Sequence, residues 1–134
     1  MRKWSKASQA VYDTLDPKLQ RLVTRLRDEV IDITLICGHR GEAEQNEAVR
    51  TGHSKVKWPE GKHNKLPSVA VDLRPYPFSI AEPKQWAQLG YLAAWAIVFA
   101  REDGFEVRWG GDWDRDNDLT DQTFDDLFHL EIVA

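Results

Sequence analysis

The sequence predicts a small α+β fold, one domain of 134 residues. Three observations lead there. Apolar residues recur at helical spacing in two long stretches, 16–30 and 79–101. Short runs rich in β-branched or aromatic residues, bounded by glycine or proline, occur near 31–37, 69–74, 105–109 and 128–133. No repeat, low-complexity tract or linker divides the chain, and its length suffices to bury one core.

Taken in order, a short turn near Ala7 to Thr14 precedes the first long helix. Asp16 is its expected N-cap and Pro17 its first helical residue, with Leu19, Leu22, Val23, Leu26 and Val30 on one face. Ile31 to Cys37 alternates as a strand and Gly38 ends it. A second helix runs to Arg50, where Thr51-Gly52 stops it. Residues 50–65 form a polar loop with five Lys/Arg against one Glu, expected to rim a cleft. The strand holding Val69, Val71 and Asp72 closes at Arg74-Pro75, because proline cannot continue a ladder. Ser79 to Arg101 reads as a helix apolar nearly all round, hence covered on both sides, and Gly104 stops it. Phe105 to Trp109 is a strand, Gly110-Gly111 a turn, and Phe128 to Val133 the last strand.

Composition narrows the function. Hydrophobic content of 42% and charged content of 30% are those of a soluble globular protein. The longest uncharged segment, Gln85 to Ala100, falls short of a membrane span. The basic start at Arg2-Lys3 has no apolar stretch behind it, so no secretory signal is expected and synthesis is cytoplasmic. Net charge is −4, with residues 1–100 at +4 and residues 101–134 at −8. The basic loop is too short, and the chain too acidic, for a nucleic-acid partner. Cys37 is the only cysteine, which rules out an internal disulfide and a cysteine-rich zinc site; it is expected as a small strand residue. Six tryptophans exceed what a core of this size needs, and some are expected to line a cleft.

The chemistry-bearing residues sit at the two ends of 63–72 and near the C-terminus. His63, Asp72 and His129 form a trio suited to a catalytic Zn²⁺, which takes three protein ligands and keeps a fourth position for water. Asp72 shares a strand face with Ala70 and Ser68, small residues that leave room for an ion and its water. A carboxylate must then accept the proton of the attacking water. Asp126, three residues before His129, and Glu131, two after it, both stand as that base. Arg40 follows a strand end, where its planar fork suits an oxyanion or a substrate carboxylate; a surface salt bridge to Glu42 or Glu44 is the alternative. His39 stands beside it as a substrate contact or a packing residue, and His53 is expected to be solvated. Asp112, Asp114, Asp116 and Asp118 alternate like the front of a calcium loop. Asn117 and Thr123 stand where the EF-hand pattern needs Gly and Glu, so a Ca²⁺ site competes with a solvated acidic turn.

The segments CGHRGEAEQ, KHNKLPSVAVDLRPYP, RWGGDWD and FDDLFHLEI resemble, in this order, the zinc peptidases of the D-Ala-D-Ala carboxypeptidase type. More narrowly, they resemble the phage endolysins that are L-alanyl-D-glutamate peptidases. The resemblance spans nearly the whole chain and implies the Hedgehog/D-Ala-D-Ala peptidase fold, a small antiparallel sheet flanked by helices. It implies His63, Asp72 and His129 as zinc ligands, Asp126 as the base, Arg40 as the catalytic arginine and Gln45 as a substrate contact. His39 replaces the usual tyrosine and Lys62 a common serine, the His-to-Asp interval is longer than in many relatives, and the base is Asp where others carry Glu. The implied substrate is the peptidoglycan stem peptide, cut at L-Ala–D-Glu during host lysis. The enzyme would be a monomer without stable membrane association, held in the infected host's cytoplasm until the membrane is permeabilised. Two alternatives remain: a D,D-carboxypeptidase or dipeptidase acting on D-Ala-D-Ala, and an inactive wall-binding module.

Overall fold

In the computed structural model, which describes residues 2–123 and 125–133, the first turn proves to be a helix, α1 (Lys6–Tyr12). Ser5 caps it by accepting from the Ser8 amide at 3.1 Å. Asp16 caps α2 (Pro17–Glu29) in the same way, accepting from Lys18 N–H at 2.8 Å, with Pro17 at the first helical position as expected. Leu19, Leu22, Val23 and Leu26 of α2 are all buried. Strand β1 (Ile33–Cys37) begins two residues later than its apolar run suggests. Helix α3 (Glu42–Arg50) is opened by Glu44, whose carboxylate reaches back to the Gly41 amide.

Four strands form one antiparallel sheet in the order β1, β2 (Ala70–Pro75), β4 (Asp126–Ile132), β3 (Val107–Gly110). One face carries Val71, Leu73 and Leu130 into a core shared with α2 and α4 (Pro83–Glu102). Alternation then sends Asp72, His129 and Glu131 to the other face. Central strands β2 and β4 pair Asp72 directly with His129, so the register of two buried strands sets the site.

Three sequence expectations change. Helix α4 begins at Pro83, not Ser79; Glu82 caps it and residues 79–82 form a turn. It is also not covered all round. Leu89, Leu92, Ala93, Ala96 and Ala100 face the core, while Tyr91, Trp95 and Val98 are exposed, because only one layer of helices lies over the sheet on that side. Gly110 belongs to β3 rather than to a turn. A Cβ there would fall 2.0 Å from the Asp126 carbonyl oxygen, so only glycine lets β4 pass this close. Among the described residues no helix is long and apolar enough to cross a membrane.

Candidate metal centre

Three elements bring the site together. The 3₁₀ turn Lys62–Asn64 supplies His63, β2 supplies Asp72 and β4 supplies His129. His63 Nε2, Asp72 Oδ1 and His129 Nδ1 form a triangle with every edge at 3.2 Å. Ligand atoms bonded at zinc distances in a tetrahedron stand about 3.3 Å apart, so the triangle has the dimensions of three zinc ligands.

The outer nitrogens decide what the inner ones offer. His63 Nδ1 lies 2.7 Å from the Gly38 carbonyl oxygen, which only an N–H can satisfy. His129 Nε2 lies 2.9 Å from Glu131 Oε1. With their protons committed outward, both neutral rings point a lone pair inward at each other and at a carboxylate. Such a convergence is repulsive unless a cation, or extra protons, sits in the middle. Without a cation, protons take that place. Burial opposes charging His63, but the hydrogen bond to Asp72, with Cys37 adding, pushes it up to about 10. His129 moves up likewise, burial being outweighed by Asp72 and Glu131. Burial would raise Asp72, yet the two imidazoles hold it well below the usual carboxylate range. A divalent cation would displace these protons.

Asp126 stands beside this triangle, with a carboxylate oxygen within 4.8 Å of the ligand atoms of Asp72 and His129. It lies in β4 rather than in a turn before the strand. In a regular strand residues three apart point to opposite faces. Here the pairing of β4 with β3 shifts between Trp109 and Gly110, a bulge that turns Asp126 toward the face of His129. Burial and the Asp72 charge raise its pKa, against the cationic groups around it. Glu131, the other candidate base, is 4% exposed and divides its oxygens between His129 and Arg108 Nη2 at 2.8 Å. It therefore lies behind His129.

Arg40 pairs with neither Glu42 nor Glu44. Its Nη1 donates to Gln45 Oε1 at 3.1 Å and its Nη2 lies 3.7 Å from Asp72 Oδ2, which aims the guanidinium at the centre. Gln45, expected against substrate, is 1% exposed. Its oxygen accepts from Arg40 and Asn64, and its amide donates to Ser54 Oγ and the Val56 carbonyl. All four of its hydrogen-bonding positions are taken within the protein, so it buttresses Arg40 while also lining the cleft. His39 is not among the residues lining the cleft; its backbone N–H donates to Thr14 Oγ1 at 3.0 Å. Half-buried Cys37 places Sγ 3.9 Å from His63 Nδ1, the ring nitrogen that faces Gly38.

A cleft of about 660 Å³ opens over the centre. Loop residues 53–56 and 60–62 line one wall and Trp113, Asp121 and Gln122 another, as the rim expected of the basic loop. Of the aspartate series, Asp112, Asp114 and Asp116 converge. Asp118 does not join them: its carboxylate accepts from Thr120 N–H and Oγ1 and caps the 3₁₀ turn Leu119–Asp121, which corrects the expected four-aspartate set.

A family model for phage L-alanyl-D-glutamate peptidases matches residues 1–133. The chain belongs to this family. It is 30% identical over 141 residues to the L-alanyl-D-glutamate peptidase of Escherichia phage T5, covering 98% of each chain. The crystal structure of the Serratia marcescens L-Ala D-Glu endopeptidase ChiX aligns with a TM-score of 0.73 at 25% identity, over 97% of this chain and 89% of that one. This phage peptidase thus has the α+β architecture its sequence predicts, with the sheet between the helical layer and the cleft. Sequence reasoning missed Gly38, Arg108 and the supporting role of Gln45, whose parts are set by strand pairing and chain reversal rather than by local pattern.

Proposed function

We propose that the chain is a zinc-dependent endopeptidase that cuts the L-Ala–D-Glu bond of peptidoglycan stem peptides. The observation that carries this reading is the 3.2 Å triangle of inward donors with Asp126 beside it. His63, Asp72 and His129 would hold the ion. When bound there, zinc supplies a Lewis acid that polarises the scissile carbonyl and lowers the pKa of water. Asp126 takes the proton from the attacking water and hands it to the departing D-Glu amine. Its raised pKa makes it a stronger base than a surface aspartate. Arg40, steadied by Gln45, stabilises the charge growing on the carbonyl oxygen or grips the free carboxylate of D-Glu. Family membership supports a phage lysin acting on the cell wall; in this reading it acts from the host cytoplasm once the membrane is permeabilised, as a monomer.

Mass spectrometry of fragments released from purified peptidoglycan, with and without a zinc chelator, tests this. New D-Glu amino termini that vanish with the chelator are expected. Release of D-Ala alone would favour a D,D-carboxypeptidase, and binding without new termini a wall-binding module.

A second reading concerns the aspartate loop. Asp112 is 8% exposed, and its Oδ1 has no hydrogen-bond partner among the described residues, which supports a calcium ion held with Asp114 and Asp116. Calcium should then raise the melting temperature of the parent and not of Asp112→Asn.

A further inference from the structure

Arg108 on β3 pairs in register with Glu131 on β4, next to His129. Its Nη2 donates to Glu131 Oε2 at 2.8 Å, and its Nη1 to the Trp113 carbonyl at 3.4 Å. The guanidinium carbon lies 5.6 Å from the centre of the Trp113 ring, and that ring lies 5.4 Å from the His129 imidazole. His129 is thus held at its outer nitrogen by Glu131 and against its face by Trp113, and Arg108 touches both holders. We propose that Arg108 is a positioning residue for the metal centre, acting through Glu131 and Trp113 to fix the ring of His129 so that Nδ1 faces Asp72 and His63. This rests on the zinc reading above.

The physical case begins with Glu131. A carboxylate this buried is costly unless paired, and the single N–H of a neutral imidazole satisfies only one of its oxygens. Arg108 satisfies the other oxygen and supplies the opposite charge. Remove it, and Glu131 is freed to turn toward water in the cleft. His129 then loses the acceptor that selects its tautomer, and its ring can rotate about its last side-chain bond. The same change loosens Trp113, the packing partner that opposes such rotation. Partners of this kind behind a ligand histidine govern metal affinity more than fold, because they act on ring orientation.

A competing role is built into the position. Arg108 lines the cleft and its side chain is 33% exposed, so it could instead read a substrate carboxylate directly. A third role is simple cross-strand stabilisation. The three differ in what they move. The test compares the parent with Arg108→Ala, Arg108→Gln and Arg108→Lys. The readouts are the zinc dissociation constant by competition with a chromophoric chelator, the visible spectrum of the cobalt-loaded protein, and the melting temperature of the metal-free chain. Arg108→Ala and Arg108→Gln should weaken zinc about 10- to 100-fold and alter the cobalt spectrum. Arg108→Lys should recover most of the affinity, since an ammonium can still pair Glu131. Using Gln beside Ala keeps the comparison open if the truncation fails to fold. Zinc affinity within twofold of the parent overturns the proposal, whether the variant shows only a raised KM, as for a substrate contact, or only a lowered melting temperature, as for a structural pair. A parent that binds no zinc overturns the zinc reading itself, whereas a zinc-binding parent with unaffected variants overturns the role of Arg108 alone.

Discussion

Two regions of this molecule gather metal-type side chains, and they gather them differently. At the candidate metal centre, the inward donor atoms of His63, Asp72 and His129 meet beneath a cleft, both histidines are buried, and the rings' outer nitrogens are tied to Gly38 and Glu131. In the loop that starts at Asp112, carboxylates are turned back on their own backbone. Asp112 Oδ2 accepts from the Asn117 amide at 2.9 Å, and Asp116 Oδ1 from the Asp118 amide at 2.8 Å. Positive φ angles at Arg115 and Asn117 wind the loop tightly enough for this. Asp114 and Asp116 are exposed, and partial desolvation with the neighbouring Asp116 and Asp112 raises the pKa of Asp114. Proximity alone therefore does not make the two equivalent. At the centre, hydrogen bonds commit the donors inward; in the loop one oxygen of each of Asp112, Asp114 and Asp116 is turned onto a backbone N–H, and Asp112 Oδ1 is buried without a partner among the described residues.

The largest test of this contrast is removal of an imidazole. His63→Ala or His129→Ala should lose zinc on dialysis and lose fragment release from peptidoglycan to background, as read by metal analysis and mass spectrometry. Retention of one zinc per chain by either variant would put the ion elsewhere. Next in size, Asp126→Asn should keep zinc while kcat falls about 10²- to 10⁴-fold, the range for loss of a general base. If Glu131→Gln is the dead variant and Asp126→Asn stays active, the assignment of the base is reversed.

Proton competition gives a smaller, graded effect. The folded-state pKa of His63 is raised to about 10 from an ordinary 6.5. Its contribution to the metal-free fold is therefore fully present below pH 6.5 and is lost as pH rises toward 10. Zinc needs the deprotonated ring, so its affinity gains across the same window. The gap in melting temperature between zinc-loaded and chelated protein should widen from pH 6.5 to pH 9. A gap that stays constant would mean that no such proton is displaced. Smallest of all, Asp114→Asn in calcium-free buffer should change activity less than twofold and leave the melting temperature level or slightly higher, since it relieves repulsion among exposed carboxylates. A drop in zinc content there would erase the contrast between the two regions.

The three converging side chains were legible in the sequence as candidates because residue type and strand alternation suffice to nominate them. Histidine is scarce, four in the chain; the β2–β4 register sets Asp72 opposite His129, and the 3₁₀ turn Lys62–Asn64 brings His63 to them. Asp126 was legible as a candidate but not its route: only the bulge opposite Gly110 carries it to the His129 face. The supports were not legible. Arg108 meets Glu131 through pairing of β3 with β4, and Gln45 reaches Ser54 and Asn64 only because loop 50–65 folds back over α3. The outward face of α4 misled for a related reason. Tyr91, Trp95 and Val98 are as apolar as the buried face, and pattern alone does not say which side the sheet will take.

X-ray absorption at the zinc edge of the loaded protein tests the central claim most directly. The account predicts a single shell of nitrogen and oxygen atoms at about 2.0–2.2 Å with the multiple scattering of two imidazoles. A sulfur at about 2.3 Å would bring Cys37 into the coordination sphere in place of one of the three, and a protein that retains no zinc would remove the centre altogether; either result contradicts it.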